Sequence, residues 1–296
     1  MRAMRIHRYG DATEIRADDI PLPVPGPGEV LIRVAATSFN PSDVGLRRGL
    51  LREILPMELP LTLGGDVAGT VVEAGSGVSG HTSGDQVIGR VHGATADYVT
   101  ADAATLVAAP RTIPLAHAAA IPVAGLTAWQ AVFEHADVRP GQRVLVNGAG
   151  GGVGGFAVQL ARHAGAQVIA TASARSADLV RRQGADEVVD YTATTLHEAL
   201  DGPVDAILHL VPTSAAAAGS LLPLLAEGGV FVSATVPIGV HFVARNDTRH
   251  LAALVELIDA GTVRVDVAGS HPLTDLALVH REAEAGRTRG KIILTA

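Results

Sequence analysis

The chain has 296 residues and a formal net charge of -7, is 48% hydrophobic and contains no cysteine. That length suits two domains of ordinary size, each able to bury a core. Disulfides and thiolate chemistry are excluded, and an acidic balance without a basic cluster argues against nucleic acid as the main partner.

Residues 1 to about 120 read as β-rich. Short apolar runs at 29–34 and 67–73 are separated by glycine and proline turns, with Pro21, Pro23, Pro25 and Pro27 marking one of them. Residues 116–136 have helical composition, with Pro122 and Gly125 as expected interruptions. Strand and helix patterns then alternate. Strands are expected at 143–147, 167–173, 187–190, 206–211 and 229–234, and helices at 154–163, 177–183 and 215–225. This alternation predicts a parallel sheet with helices on both faces. Beyond about residue 246 it stops. A helix at 249–260, a β-like stretch at 263–267, a helix at 274–285 and a last strand at 291–294 are expected. No apolar run is long enough to span a membrane. Met1 to His7 lacks the apolar stretch of a signal peptide, so the expected compartment is the cytosol.

The most informative stretch is Val144-Leu-Val-Asn-Gly-Ala-Gly-Gly-Gly-Val-Gly154. An apolar strand runs into a glycine cluster and then an apolar-faced helix, the order a dinucleotide fingerprint needs. Glycines let the backbone approach a pyrophosphate, and the N–H groups that open the helix face the anion. Gly148-x-Gly150 and Ala149-x-Gly151-x-x-Gly154 each fit part of the pattern. The flanking sequence favours the second, with Ala149, Gly151, Gly152, Val153 and Gly154 as cofactor-binding positions. The second strand should end in a carboxylate if the ribose hydroxyls of NAD were bound. It ends instead in Thr171-Ala-Ser-Ala-Arg-Ser176. Ser173 and Arg175 would suit a 2′-phosphate, which predicts NADPH. Equally, Ser176 can cap the next helix with Arg175 solvated.

The chain resembles the zinc-independent medium-chain dehydrogenase/reductases, specifically the quinone oxidoreductase (zeta-crystallin-like) group. The resemblance rests on Asn40-Pro-Ser-Asp43, the run from Leu63-Gly-Gly-Asp66 to Val78, Gly84-Asp-Gln-Val87, Ala120-Ile-Pro-Val-Ala-Gly-Leu-Thr-Ala128, the glycine run, Gly184-Ala-Asp-Glu-Val-Val-Asp-Tyr191 and Gly286-Arg-Thr-Arg-Gly-Lys-Ile-Ile-Leu294. It implies an α/β chain: a GroES-like β-rich catalytic domain (residues 1–120 and 247–296) and a Rossmann doubly wound parallel-sheet domain (residues 121–246). It also implies a dimer or tetramer, with a homodimer expected.

The zinc-using relatives place a cysteine near Asn40 and a His-Glu pair near Gly65-Asp66. Neither cysteine nor histidine stands there, and the 12 histidines show no paired spacing, so no metal is expected. Without a Lewis acid, the chain suits hydride acceptors that delocalise their own charge, namely quinones or α,β-unsaturated carbonyls. The alternatives are a non-catalytic NADPH-binding protein and a carbonyl or alcohol dehydrogenase. Asn40 and Asp43 match the family's polar pair beside the nicotinamide, although Asn-Pro-Ser-Asp is also a turn and cap sequence. Thr127 matches a position at the nicotinamide end, and Tyr191 one near the adenosine phosphate. Phe39, Leu50 and Phe242 are candidate apolar walls or core. His209, near the end of a strand, is a candidate site or core histidine. Arg287, Arg289 and Lys291 form a basic group in sequence, either facing the cofactor phosphates or lying solvated.

Overall fold

The computed structural model describes residues 1–53 and 55–296. They divide into two compact units. The first comprises Met1–Val123, Asn246–Asp259 and Val267–Ala296; the second comprises Ala124–Arg245 and Ala260–Asp266.

The first unit is built on a seven-stranded sheet. Its order runs Val267–Pro272, Lys291–Thr295, Glu29–Ser38, Asp66–Ala74, Gln86–Arg90 and Leu106–Ala108, with Tyr98–Asp102 also paired to Glu29–Ser38. Val30, Ile32, Val34, Val67, Val71 and Val87 fill one core cluster from neighbouring strands. β-branched side chains suit this setting because they pack well on a pleated surface. Strand register decides which ends come together. Ile293 pairs with Ser38, so Lys291, two residues before the one, lies beside Asn40, two residues after the other. Ala36 pairs with Ala68, which brings the start of Asp66–Ala74 to the end of Glu29–Ser38. The ends of three strands from distant parts of the chain therefore meet.

Helix Pro41–Arg47 leaves that meeting point. Pro41 suits the first helical turn, where no N–H is required, and Asn40 caps it. The far end is fixed by Arg47, which is fully buried. Its Nη1 donates to the Gly10 carbonyl at 2.5 Å, its Nε donates to His280 Nδ1 at 3.2 Å, and its Nη2 pairs with Glu284 at 2.9 Å. His280 and Glu284 belong to helix Leu276–Glu284. Burial and the neighbouring guanidinium push His280 down to about 3, so the ring is neutral and free to accept the Arg47 proton.

In the second unit six parallel strands stand in the order Glu187–Asp190, Gln167–Ala172, Arg143–Asn147, Val204–His209, Leu225–Ser233 and Val240–His241. The chain thus winds outward in both directions from Arg143–Asn147, and ligands of such sheets bind at the carboxyl ends where the order reverses. Helix Gly152–His163 is buried from Gly154 to Ala161.

Several elements differ from the sequence pattern. Helical structure between 115 and 136 is broken at 119–121, but Pro122 opens helix Pro122–Trp129 rather than interrupting it, and Gly125 lies inside. The helix expected at 215–225 is only Ala215–Gly219, because Pro223 forces a separate 3-10 turn, Leu222–Leu224. No strand forms at 263–266. The edge strand is Val267–Pro272, set by pairing with Lys291–Thr295.

Candidate active site

In the first unit, Asn40 is the centre of a buried polar cluster. Its backbone N–H donates to Asp43 at 2.9 Å, the reciprocal contact expected from the third position of a capped helix. The cap reading of Asn-Pro-Ser-Asp is therefore correct, and it leaves the Asn40 side chain for other partners. Nδ2 donates to Asp66 Oδ2 at 2.7 Å, and Oδ1 accepts from Lys291 Nζ at 2.9 Å. Lys291 also donates to the Phe39 carbonyl at 3.2 Å and stands 3.7 Å from Asp66 Oδ2. Asp66 further accepts from the Ser38 hydroxyl and, at Oδ1, from the Val123 N–H at 2.7 Å. Asp66 is fully buried and Lys291 nearly so. Charges are retained in such a place only when paired and hydrogen-bonded.

Asp43 is the second carboxyl of the cluster. Burial, reinforced by the neighbouring Asp66 charge, pushes it up to about 7; the Asn40 N–H and Lys291 pull the other way. Burial pulls Lys291 down, opposed by Asp66 and Asp43. Asp43 is thereby favoured as the neutral acid up to about pH 7, beside the ion pair of Lys291 with Asp66.

The second unit holds the predicted glycine turn. Gly148 has φ +103°, a left-handed conformation that favours glycine. Gly151 caps helix Gly152–His163. The N–H groups of Gly152 and Val153 open the helix without an intrahelical acceptor, which is what a pyrophosphate needs. Gly154 is where the helix crosses the strand end. A Cβ there would meet the Gly148 carbonyl oxygen and would lie 2.6 Å from Ala149 Cα. These contacts match Ala149-x-Gly151-x-x-Gly154, whose last glycine lets helix and strand approach. Gly150 packs against Ser176, whose Oγ leaves no room for a side chain.

A hydrogen-bonded chain braces this turn. The Gly148 N–H donates to Thr171 Oγ1 at 2.8 Å, and Thr171 Oγ1 donates to Asn147 Oδ1 at 2.9 Å. Asn147 Nδ2 then faces His209 Nδ1 at 3.0 Å, and His209 Nε2 faces Thr213 Oγ1 at 3.0 Å. With Asn147 Oδ1 already accepting, its Nδ2 donates and His209 carries its proton on Nε2. Burial lowers the His209 pKa. It is a neutral core histidine that supports the turn.

Ser173 follows strand Gln167–Ala172 and is half-buried; Arg175 is exposed in the next turn, and Tyr191 is 59% exposed after Glu187–Asp190. The strand end therefore offers a hydroxyl, a guanidinium and a phenol, and no carboxylate before Asp178. Ser176 opens the following helix without a side-chain cap bond. Thr127 is buried on helix Pro122–Trp129. A pyrophosphate at the turn and a phosphate at the second strand are both compatible with these donors.

Sequence reasoning missed Ser38 and Asp66 and misplaced Lys291. Arg287 pairs with Glu282 at 2.6 Å, Arg289 is exposed, and Lys291 turns into the Asn40 cluster, so the three do not act together. Phe39 and Phe242 are core: Phe39 meets His280 edge-on and Phe242 stacks on His135, whereas Leu50 is 73% exposed.

Residues 26–111 match the alcohol dehydrogenase GroES-like domain family and residues 183–294 the zinc-binding dehydrogenase family. The chain is 34% identical to the chloroplast envelope quinone oxidoreductase homolog of Arabidopsis thaliana, over 99% of this chain and 98% of that protein. It is 31% identical to an NADPH-dependent alkenal/one oxidoreductase of the same plant, over 99% and 79% of the two chains. Among solved structures, Escherichia coli quinone oxidoreductase complexed with NADPH superposes with a TM-score of 0.89 at 26% identity, covering 100% of both chains. The second family's name mentions zinc, but the donor set here does not suit it. The Asn40 amide is taken up by Lys291 and Asp66, and among the described residues no three His, Cys, Asp or Glu side chains are grouped to hold a metal.

Proposed function

Since this chain belongs to the zinc-independent quinone oxidoreductase group of the medium-chain dehydrogenase/reductases, we propose that it is an NADPH-dependent reductase of quinones or α,β-unsaturated carbonyls. The observation that carries the reading is the buried Asn40–Asp66–Lys291 cluster, which presents polarised hydrogen-bonding groups where zinc-using relatives present ligands. The bound cofactor supplies the hydride; the protein orients the reactants and excludes water. Gly152 and Val153 hold the pyrophosphate on their N–H groups. Ser173, Arg175 and Tyr191 hold the 2′-phosphate end, and Thr127 lies at the nicotinamide end. Asn40 donates to the substrate oxygen as charge grows there. Asp43, protonated up to about pH 7, holds a proton for the product. An acceptor that spreads negative charge over an aromatic ring or an enolate needs no metal for this step. On family grounds we further propose a homodimer.

The direct test is a panel of quinones, enals and enones, with consumption of NADPH followed by absorbance, with and without chelator. Turnover unaffected by chelator is expected. Loss of activity on chelation would restore a metal-dependent dehydrogenase, and no turnover with any acceptor would leave a cofactor-binding protein. The cofactor assignment is checked separately. Arg175→Ala is expected to cost about 1–3 kcal/mol of NADPH binding, a charge-assisted hydrogen bond's share, or roughly ten- to a hundredfold. NADH binding the unaltered protein as tightly as NADPH sinks the assignment.

A further inference from the structure

The Asn40 amide is held at both ends by charge. An ammonium sits on Oδ1 at 2.9 Å and a carboxylate on Nδ2 at 2.7 Å. This fixes which end is oxygen and which is nitrogen, because Lys291 can only donate and ionised Asp66 can only accept. The clamp is itself anchored. Asp66 is held by the Ser38 hydroxyl and the Val123 N–H, and Lys291 by the Phe39 carbonyl. The second proton of Nδ2 makes only a long bond, to the Ser38 carbonyl at 3.5 Å, weak enough to be given up to a better acceptor. Charges of opposite sign on the two ends of an amide polarise it along the chain of bonds, which strengthens that remaining donor.

We propose that Lys291 and Asp66 are positioning residues that act through Asn40. They lock its amide with one proton of Nδ2 directed to the developing oxyanion of the hydride acceptor, and Lys291 supplies, one residue removed, the positive charge that a metal supplies elsewhere. This deepens the reductase reading and rests on it. It differs from the reading of Lys291 as a phosphate contact, because the ammonium is spent on Asn40, Phe39 and Asp66.

The test is a double-mutant cycle. Lys291→Met is expected to lower kcat for enone or quinone reduction about tenfold to a hundredfold, the loss typical when the partner behind a functional group is removed. KM and the NADPH dissociation constant should change by less than about threefold, since only an interaction made in the transition state is lost. Asn40→Ala should cost at least as much, and adding Lys291→Met to it should cost nothing more. A Lys291→Met protein that turns over at the unaltered rate, or two losses that multiply, overturns the proposal. Lys291→Met leaves Asp66 buried and unpaired and can fail to fold. In that case Asp66→Asn with Lys291→Met, which removes both charges, replaces it with the same expectation. Should the unaltered protein reduce no acceptor, the reductase reading falls. The clamp is then tested by NMR of the Asn40 side-chain amide. Its two protons should be displaced from the usual side-chain amide positions and slow to exchange with water in the unaltered protein, and return to the usual positions and exchange rate in the variant. An unchanged spectrum overturns the clamp.

Discussion

Gly154→Ala should cost about 2–3 kcal/mol of stability and weaken NADPH binding by at least roughly a hundredfold. The added methyl would overlap the Gly148 carbonyl oxygen and would lie 2.6 Å from Ala149 Cα and 2.8 Å from Gly148 C. All three are backbone atoms, so no side chain can rotate aside. Either helix Gly152–His163 moves off the sheet or the turn deforms. The helix is buried along Gly154 to Ala161, which makes its displacement costly. The turn carries the Gly152 and Val153 N–H groups, so its deformation removes the anion site. Gly151→Ala is the informative control. Its Cβ would meet only the Gly148 oxygen, at 3.3 Å, so stability should hold while the close approach of a pyrophosphate is lost. Chemical denaturation and fluorescence titration with NADPH measure both effects. Gly154→Ala with unaltered stability and affinity would mean that helix and strand do not pack this closely.

The same glycine turn shows what was legible in the sequence. Strand, turn and helix were readable because each has a local cause: a short apolar run, glycines where the backbone turns sharply, and an apolar face at helical spacing. Where elements were misjudged, a tertiary partner decided. Val263 is as apolar as a strand residue, yet the edge strand starts at Val267 because Lys291–Thr295 offers its ladder only from there. Pro122 looked like an interruption and is a helix start, a distinction that depends on where the preceding helix has already ended.

The site was half legible for a related reason. Asn40 and Asp43 are neighbours in sequence, so a cap signature flags both. Asp66 and Lys291 reach Asn40 through strand register alone, from residues 26 and 251 positions away. Each did leave one local sign: a charge placed directly before an apolar run at the start of its strand, Asp66-Val-Ala-Gly and Lys291-Ile-Ile-Leu. A charge buried at a strand end needs a partner, and that sign asks for one without naming it. Arg47 left no sign at all, because the stretch around it reads as an ordinary exposed helix end. Its burial depends on helix Leu276–Glu284, which no local pattern connects to it.

The cluster also fixes how stability should respond to pH, and Asp43→Asn isolates the cause. The folded protein holds the Asp43 proton up to about pH 7, against a usual carboxyl value of 3.8. Between those values the native state binds a proton that the unfolded chain releases, so stability must fall as pH rises. The contribution is fully present below about pH 4 and lost above about pH 7. About three units correspond to at most about 4 kcal/mol. Asparagine at this position cannot ionise, yet its Oδ1 can still accept the Asn40 N–H that Asp43 accepts at 2.9 Å. The cap is thereby kept while the titration is removed. Urea denaturation at about pH 5 and about pH 8 should show the unaltered protein losing about 2–3 kcal/mol more than the variant across that interval. Every other titrating group is common to both proteins, so the difference belongs to Asp43 and to the charges it faces, Asp66 and Lys291. Equal losses in the two proteins would show that Asp43 is already ionised in the fold. The cluster would then hold two carboxylates against one ammonium, and Asp43 could not serve as the proton's source.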